Sequence, residues 1–368
     1  MIQLKTKGIA RNIDHTLVAK VVGVPNASEV HCYAPEIHED ILLTDTLIES
    51  EHFKSVMGIP SLADIHEGDI VLIHPKGVVY TLFREQSPHN ALFITDRCNS
   101  NCLMCSQPPK NIDDLDFHYH INSQLIKMIP TTTSELGITG GEPTILGKRF
   151  INLLSSIKEQ LPSTEVHILT NGRSFAWKNI PKAISEIQNS RMVFGIPLYS
   201  DYYLQHDYVV QAKGAFNQTI LGFHNMARYG LRLELRIVLH KQTYKRLPSL
   251  ARFIYKNLPF VEHIAFMGLE YTGYTPKNND LLWMEPSEYA HELEEAVFFL
   301  DSVGMTVSIY NLQLCLLKPT LWSFARKSIS DWKRDYLSEC QQCNLLAACG
   351  GVFATSKKNS NEIKAILS

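Results

Sequence analysis

Between about residue 89 and residue 275 the chain alternates short apolar runs with amphipathic stretches, and this alternation constrains its fold more than any other feature. The apolar runs at 91–95, 135–139, 165–170, 192–197, 231–239 and 261–269 have the length and content of strands. Between them, Phe150–Ile157 places apolar residues at roughly i, i+3, i+4 and i+7, and Phe216–Tyr229 and Leu247–Leu258 behave similarly. Every gap is long enough for a crossover helix. Six βα units predict a parallel sheet, either open or curled into a partial barrel. In both arrangements ligands gather at the C-terminal strand ends.

The unusual residues fall at those ends. Cys98-Asn-Ser-Asn-Cys102-Leu-Met-Cys105 follows the first run, and Gly140-Gly141-Glu142-Pro143 follows the second. Thr170-Asn171-Gly172 follows the third and Tyr199-Ser200-Asp201 the fourth, while Gly268-Leu269-Glu270 ends the sixth. Three cysteines at spacing CxxxCxxC bring three thiolates to one point without a fourth. Around a cubane iron–sulfur cluster they leave one iron open to a reacting ligand. Two glycines after a strand let backbone approach a ligand closely, and the proline fixes the exit. The carbonyls there and Glu142 suit an amino group.

The flanking regions differ. Residues 1–88 read as a small, mainly β domain. It has a strand at 18–24, a hairpin of 68–74 and 78–83 around Pro75-Lys76-Gly77, and a helix near Asp45–Met57. Its single Cys32 reads as a free buried thiol. Residues 281–368 carry a helix at Pro286–Val303, a strand at Met305–Tyr310, a helical stretch near 320–337, and a polar, lysine-rich tail from Ser356 that reads as loosely held. Cys315, Cys340, Cys343 and Cys349 supply four soft ligands, enough to close either a zinc site or an auxiliary [4Fe–4S] cluster. His206-Asp207 reads as a helix tie in preference to an acid–base pair, and His224, His240 and His263 as ordinary positions.

Charge is nearly balanced, 35 Lys and Arg against 37 Asp and Glu, with no basic–aromatic stripe. Nucleic acid is therefore not the expected partner. The N-terminus lacks the apolar core of a signal peptide, and no run reaches membrane-spanning length, so a cytoplasmic protein is expected. In a reducing cytoplasm, clustered cysteines bind metal more often than they form disulfides.

CxxxCxxC followed by GGEP on the next strand resembles the radical SAM superfamily. That resemblance implies a partial (β/α)6 TIM-like barrel, placed here at 89–280, with Cys98, Cys102 and Cys105 holding a [4Fe–4S] cluster. It implies S-adenosylmethionine on the open iron, beside Gly140, Gly141, Glu142 and Pro143. By the same resemblance Asn171, Ser200, Arg236, Gly268 and Glu270 fall near that cofactor, although for Arg236 a structural pairing with Glu234 or Glu270 is an open alternative. The residue before the third cysteine is usually aromatic and lies against the adenine; here it is Met104. The C-terminal cysteines resemble a twitch/SPASM extension. A full SPASM continues with another cysteine, where this chain has Phe353, so one auxiliary [4Fe–4S] cluster on Cys315, Cys340, Cys343 and Cys349 is implied.

The strings Gly137-Ile-Thr-Gly-Gly-Glu-Pro-Thr144, His167-Ile-Leu-Thr-Asn-Gly-Arg173, Gly195-Ile-Pro-Leu-Tyr-Ser-Asp201, Met267-Gly-Leu-Glu-Tyr-Thr-Gly273 and Ser328-Ile-Ser-Asp-Trp-Lys333 resemble the His-Xaa-Ser system radical SAM maturases of the HxsC type. This implies a peptide or protein substrate with His-Xaa-Ser repeats, a partner radical SAM maturase, and a low-potential electron donor such as flavodoxin or ferredoxin. Modification then proceeds by hydrogen abstraction, with the N-terminal domain placed to dock a leader segment. The alternatives are radical chemistry on a small or nucleotide-like molecule, and a non-enzymatic zinc scaffold. Of the rim segments named, only Arg173 and Arg236 are basic, which favours a peptide over a phosphate-bearing substrate.

Overall fold

A computed structural model describes residues 2–48 and 53–367. Seven parallel strands form the central sheet: Ala91–Phe93, Glu135–Thr139, Glu165–Leu169, Met192–Pro197, Arg232–Val238, His263–Met267 and Val307–Tyr310, in chain order across the sheet. Helices including Leu115–Met128, Lys148–Gln160, Ala215–Arg228, Leu247–Asn257 and Ala290–Ser302 return the chain between them. The first and last strands do not pair with each other, so the barrel is partial. Six strand–helix units are followed by a seventh strand, which extends the parallel sheet into the segment after residue 280.

Alternation along the strands explains why the sheet curls. Leu136 and Ile138, Val166 and Ile168, Leu233, Leu235 and Ile237, and Ile264 and Phe266 are buried on one face. Beneath them lie helix faces such as Phe150, Leu153, Leu154 and Ile157, each side chain contributing about 1.5–3 kcal/mol by burial. His167, Leu169, Arg236, His263 and Met267 point the other way and stay partly accessible. A sheet covered by helices on both faces would be apolar on both.

The N-terminal region is an eight-stranded sheet. Ile70–Ile73 and Val78–Phe83 form the expected hairpin. Period-two alternation divides its apolar residues between two cores. Leu17, Ala19, Val21, Val71 and Ile73 pack within the sheet's own core, whereas Val18, Ile70, Leu72 and Phe83 join the barrel core. Cys32 is buried there, and burial pushes its thiol well above the ordinary range. Among the described residues of the span 45–57, the expected helix is not formed. Lys54–Met57 is a strand, paired with Ile9–Arg11 and Glu39–Thr44, and residues 49–52 lie outside the described residues.

Two expectations for the C-terminal segment are also corrected. The 320–337 stretch is not a helix but separate 3-10 turns, Pro319–Phe324 and Asp331–Lys333. Between them the open edge of the last barrel strand captures the chain: Arg326 N–H donates to the Ile309 carbonyl at 2.9 Å. The tail packs back on the molecule instead of trailing from it. Ser287 N–H donates to Glu362 Oε2 at 3.1 Å, and Asn344 N–H donates to the Ile366 carbonyl at 2.8 Å. Asp331, meanwhile, accepts from Arg84 at 2.8 Å and from Ser87 at 3.0 Å, joining the C-terminal segment to the end of the N-terminal sheet.

Candidate active site

The cysteine loop leaves the first barrel strand at Asp96, whose N–H, with the Thr95 hydroxyl, is held by the buried Asp114 carboxylate at 2.6 Å each. From there contacts from distant parts of the chain fix its path. Asn101 and Leu103 N–H groups donate to Val210 and Val209 carbonyls at 3.0 and 2.9 Å. Asn278 Nδ2 donates to the Leu103 carbonyl at 2.7 Å, and Tyr274 N–H to the Cys105 carbonyl at 2.9 Å. Arg173 reaches the Asn99 carbonyl, and donates to Ser100 Oγ at 3.0 Å and Gln218 at 2.7 Å. A loop of this length with so little regular structure holds one shape only because its carbonyls and amides are paired in this way.

The GGEP segment is stitched to the same loop. Gly141 N–H donates to the Thr95 carbonyl at 2.6 Å, and Glu142 N–H to the Arg97 carbonyl at 2.8 Å. The approach admits no side chain: a Cβ on Gly141 would lie 2.0 Å from the Arg97 carbonyl oxygen. Gly140, at φ +147°, has a backbone shape open to glycine. Glu142 is fully buried, and its carboxylate organises the rim. Oε1 accepts from Thr144 N–H (3.1 Å), Thr144 Oγ1 (2.5 Å) and Thr170 Oγ1 (2.7 Å), while Oε2 accepts from Asn171 N–H (2.7 Å).

Asn171 is thereby placed beside the cysteines. Its amide donates to Asn99 Oδ1 at 2.6 Å and lies 3.9 Å from Cys98 Sγ. The Cys98 thiol is pushed up to about 11, by burial first and then by the Glu142 carboxylate. Burial raises Cys102 and Cys105 as well, and neighbouring thiolates add to the rise at Cys98 and Cys102. Three part-buried thiols, two of them raised further by neighbouring thiolates, are the ligand-type sulfurs available here for a cluster. Binding it releases their protons.

Other predicted residues are committed to protein partners. Ser200 is fully buried and its hydroxyl meets Gln205 Oε1 at 2.8 Å. Arg236 Nε lies 2.7 Å from Glu234 Oε1, the alternative left open by the sequence, although the two atoms are not aligned as a hydrogen bond. Glu270 accepts from Thr355 at 3.0 Å and faces Lys333 at 3.6 Å, so it ties the rim to the C-terminal segment. A Cβ on Gly268 would meet the Asn311 carbonyl at 2.3 Å. Met104 is buried in an apolar cluster with Leu103, Tyr199, Val209 and Leu282. Asp207 receives Gly214 and Phe216 N–H groups at the start of a helix, and His206 is buried beside Tyr199, as expected of a structural pair.

Sequence reasoning missed a polar cluster on the concave face. His263 donates or accepts between Glu234 Oε2 (2.8 Å) and Ser308 Oγ (3.0 Å), and His167 Nε2 lies 3.7 Å from the same carboxylate. The alternation of Arg232, Glu234 and Arg236 with apolar residues along one strand was the available signal.

Cys315, Cys340, Cys343 and Cys349 also come together. Burial raises the Cys315 thiol first, and Cys349 and Cys340 raise it further; Cys340 in turn is raised by burial and by Cys349 and Cys343. Among the described residues no three His, Cys, Asp or Glu side chains are arranged around a single metal ion.

The structure is a parallel partial barrel with three cysteines on the loop that follows its first strand. Residues 92–254 match the description of the radical SAM superfamily, a family that implies S-adenosylmethionine and a [4Fe–4S] cluster. The chain is 26% identical over 216 residues to the Fe-coproporphyrin III synthase of Methanosarcina barkeri, covering 57% of this chain and 51% of that protein. Among solved structures it is similar to Streptococcus suis SuiB bound to S-adenosylmethionine, at 17% identity and a TM-score of 0.46, covering 60% of this chain and 49% of that one. It is also similar to native anSMEcpe with bound AdoMet, at 15% identity and a TM-score of 0.47, covering 60% and 62%. The chain thus spans about half the length of the curated relative and of SuiB.

Proposed function

We propose that this chain is a cytoplasmic peptide maturase that cleaves S-adenosylmethionine reductively and modifies a substrate carrying His-Xaa-Ser repeats by hydrogen abstraction. The observation that carries the reading is the rim loop: Cys98, Cys102 and Cys105 on a loop stitched by backbone hydrogen bonds to Gly141 and Glu142. Cys98, Cys102 and Cys105 hold the cluster. When bound, the cluster would supply the single low-potential electron that cleaves S-adenosylmethionine to methionine and a 5′-deoxyadenosyl radical. Gly140 and Gly141 let this segment close against the Thr95 and Arg97 backbone of the cysteine loop, Pro143 fixes the exit, Glu142 holds the segment to Asn171, and Asn171 orients toward Cys98. Ser200, Arg236, Gly268 and Glu270 shape the walls through Gln205, Glu234, Asn311 and Thr355. Cys315, Cys340, Cys343 and Cys349 hold an auxiliary [4Fe–4S] cluster. A partner maturase and a flavodoxin- or ferredoxin-type donor complete the system, and the N-terminal sheet docks the substrate's leader.

The Methanosarcina relative favours a second reading, a tetrapyrrole or similar small molecule. A multiply anionic substrate needs free cations on the rim. Arg173 is spent on the cysteine loop and Arg236 on Glu234, which supports the peptide. Co-expression with a His-Xaa-Ser peptide, followed by mass spectrometry, separates the two. A mass change that is lost in Cys98→Ala supports the peptide. An unchanged peptide, with coproporphyrin consumed by the reduced enzyme, establishes the second reading.

A further inference from the structure

We propose that three segments packed on the cysteine loop, 201–213, 241–246 and 274–282, form the docking face for an acidic one-electron donor protein that reduces the cluster at Cys98, Cys102 and Cys105. The proposal rests on the reading of those three cysteines as cluster ligands.

Two of the segments hold the cysteine loop itself. The helix Tyr203–Val210 ends with the Val209 and Val210 carbonyls accepting from the Leu103 and Asn101 N–H groups, one on each side of Cys102. From the third segment, Tyr274 N–H donates to the Cys105 carbonyl at 2.9 Å and Asn278 Nδ2 to the Leu103 carbonyl at 2.7 Å. The 241–246 segment bridges them. Gln205 Nε2 donates to the Gln242 carbonyl, and Gln242 Nε2 donates to the Leu281 carbonyl at 2.8 Å. Arg246 donates to both Asp201 oxygens, at 2.7 and 2.6 Å, with its guanidinium 5.9 Å from the centre of the Tyr202 ring. The three segments are therefore one connected surface.

That surface is apolar at its centre and basic around it. Tyr202, Tyr203, Leu204, Tyr208 and Leu281 are each 38–52% exposed, and among the described residues no other run of three consecutive large apolar side chains is exposed. A gathering of exposed apolar side chains rimmed by polar ones marks a protein contact, and tyrosine is enriched at such contacts. Lys213, Lys241, Lys245 and Lys277 are exposed on the same segments. Lys245 and Lys277 lie over the Tyr244 and Tyr274 rings, at 5.9 and 5.8 Å, and Lys241 reaches the Asp280 carbonyl at 3.3 Å. Three acidic residues share these segments. Asp201 is taken by Arg246 and Asp207 by the Gly214 and Phe216 N–H groups, which leaves Asp280. The excess of lysine selects an acidic partner. Position selects a redox partner: the helix that carries the tyrosines bonds directly to both neighbours of Cys102. The step served moves one electron. The donor is oxidised by one, the cluster is reduced by one, and no bond forms or breaks at the interface.

The probe is a flavodoxin in its hydroquinone state, compared with dithionite, a small reductant that needs no docking face. In reconstituted holoenzyme, the double variant Lys213→Glu, Lys245→Glu is expected to weaken flavodoxin binding, read by biolayer interferometry, at least about tenfold and to slow flavodoxin-driven release of 5′-deoxyadenosine by a similar factor. Its dithionite-driven rate is expected to match wild type. Tyr203→Ser is expected to weaken binding about tenfold while keeping the salt dependence that the lysine variant loses. Unchanged flavodoxin binding in both variants overturns the proposal. So do equal losses with the two reductants, or a variant that loses substrate peptide while binding flavodoxin normally. A wild-type holoenzyme that releases no 5′-deoxyadenosine with dithionite overturns the cluster reading, and the proposal with it.

Discussion

Glu142→Gln is the most informative single change in the rim. Four donors converge on this buried carboxylate, three on Oε1 and one on Oε2. Glutamine keeps the shape. Its carbonyl takes the Oε1 position, so its NH₂ faces the Asn171 N–H. That leaves a buried donor opposed by a donor, at a cost of about 1–3 kcal/mol. The three remaining bonds lose charge assistance, about 1 kcal/mol each, and an uncharged amide is easier to bury, which offsets part of this. The net loss is about 2–4 kcal/mol, a fall in Tm of roughly 5–15 °C for a barrel-sized unit. Thermal unfolding of the metal-free protein by circular dichroism measures it without dependence on the cluster, with the exposed Glu159→Gln as control. A Tm within about 2 °C of wild type would refute the argument that the carboxylate organises the rim.

Further tests address neighbouring features. Gly141→Ala places a Cβ against the Arg97 carbonyl; iron at the first site should fall more than about tenfold, read by metal analysis, with the secondary-structure spectrum retained. Burial lowers the His206 imidazole to about 4, countered partly by Asp207. The unfolded chain therefore takes up the proton below about pH 6.5 while the folded chain does not. Stability should fall by about 3 kcal/mol between pH 6.5 and 4 on this account, and urea titrations of His206→Gln should show that slope flattened; an unchanged slope counts against it. Asp331→Ala leaves the largely buried Arg84 without its carboxylate. A loss of about 1–2 kcal/mol is expected, with faster proteolysis of the 328–333 segment.

The cysteine loop and GGEP were legible because their chemistry resides in side-chain types at fixed spacing. The barrel strands were legible because each alternates or runs apolar over a few residues. Which strand pairs with which is a different matter. Val307–Tyr310 read as a strand, but nothing local says that it extends the sheet beside His263–Met267. The tail was misread because Ser360, Asn361, Glu362 and Lys364 carry the composition of solvated chain, whereas the groups that dock it near Cys315 and Cys343 include backbone N–H donors with no residue signature. The partners of Glu142 are the Thr144 hydroxyl and N–H two residues on, and the Thr170 hydroxyl and Asn171 N–H brought in from the next strand end, of which only the first pair is local in sequence. Trp322, in the misassigned helix, instead donates its indole N–H to the Leu314 carbonyl at 2.9 Å, a contact set by the fold and not by periodicity.

The central claim is that Cys98, Cys102 and Cys105 hold a cluster whose open iron binds S-adenosylmethionine. Its direct test is product analysis after dithionite reduction of anaerobically reconstituted protein, comparing wild type with the Cys98→Ala, Cys102→Ala, Cys105→Ala triple variant. Wild type should bind about 8 iron per chain and release 5′-deoxyadenosine; the triple variant should keep about 4 iron and release none. Equal 5′-deoxyadenosine from the two proteins would contradict the account.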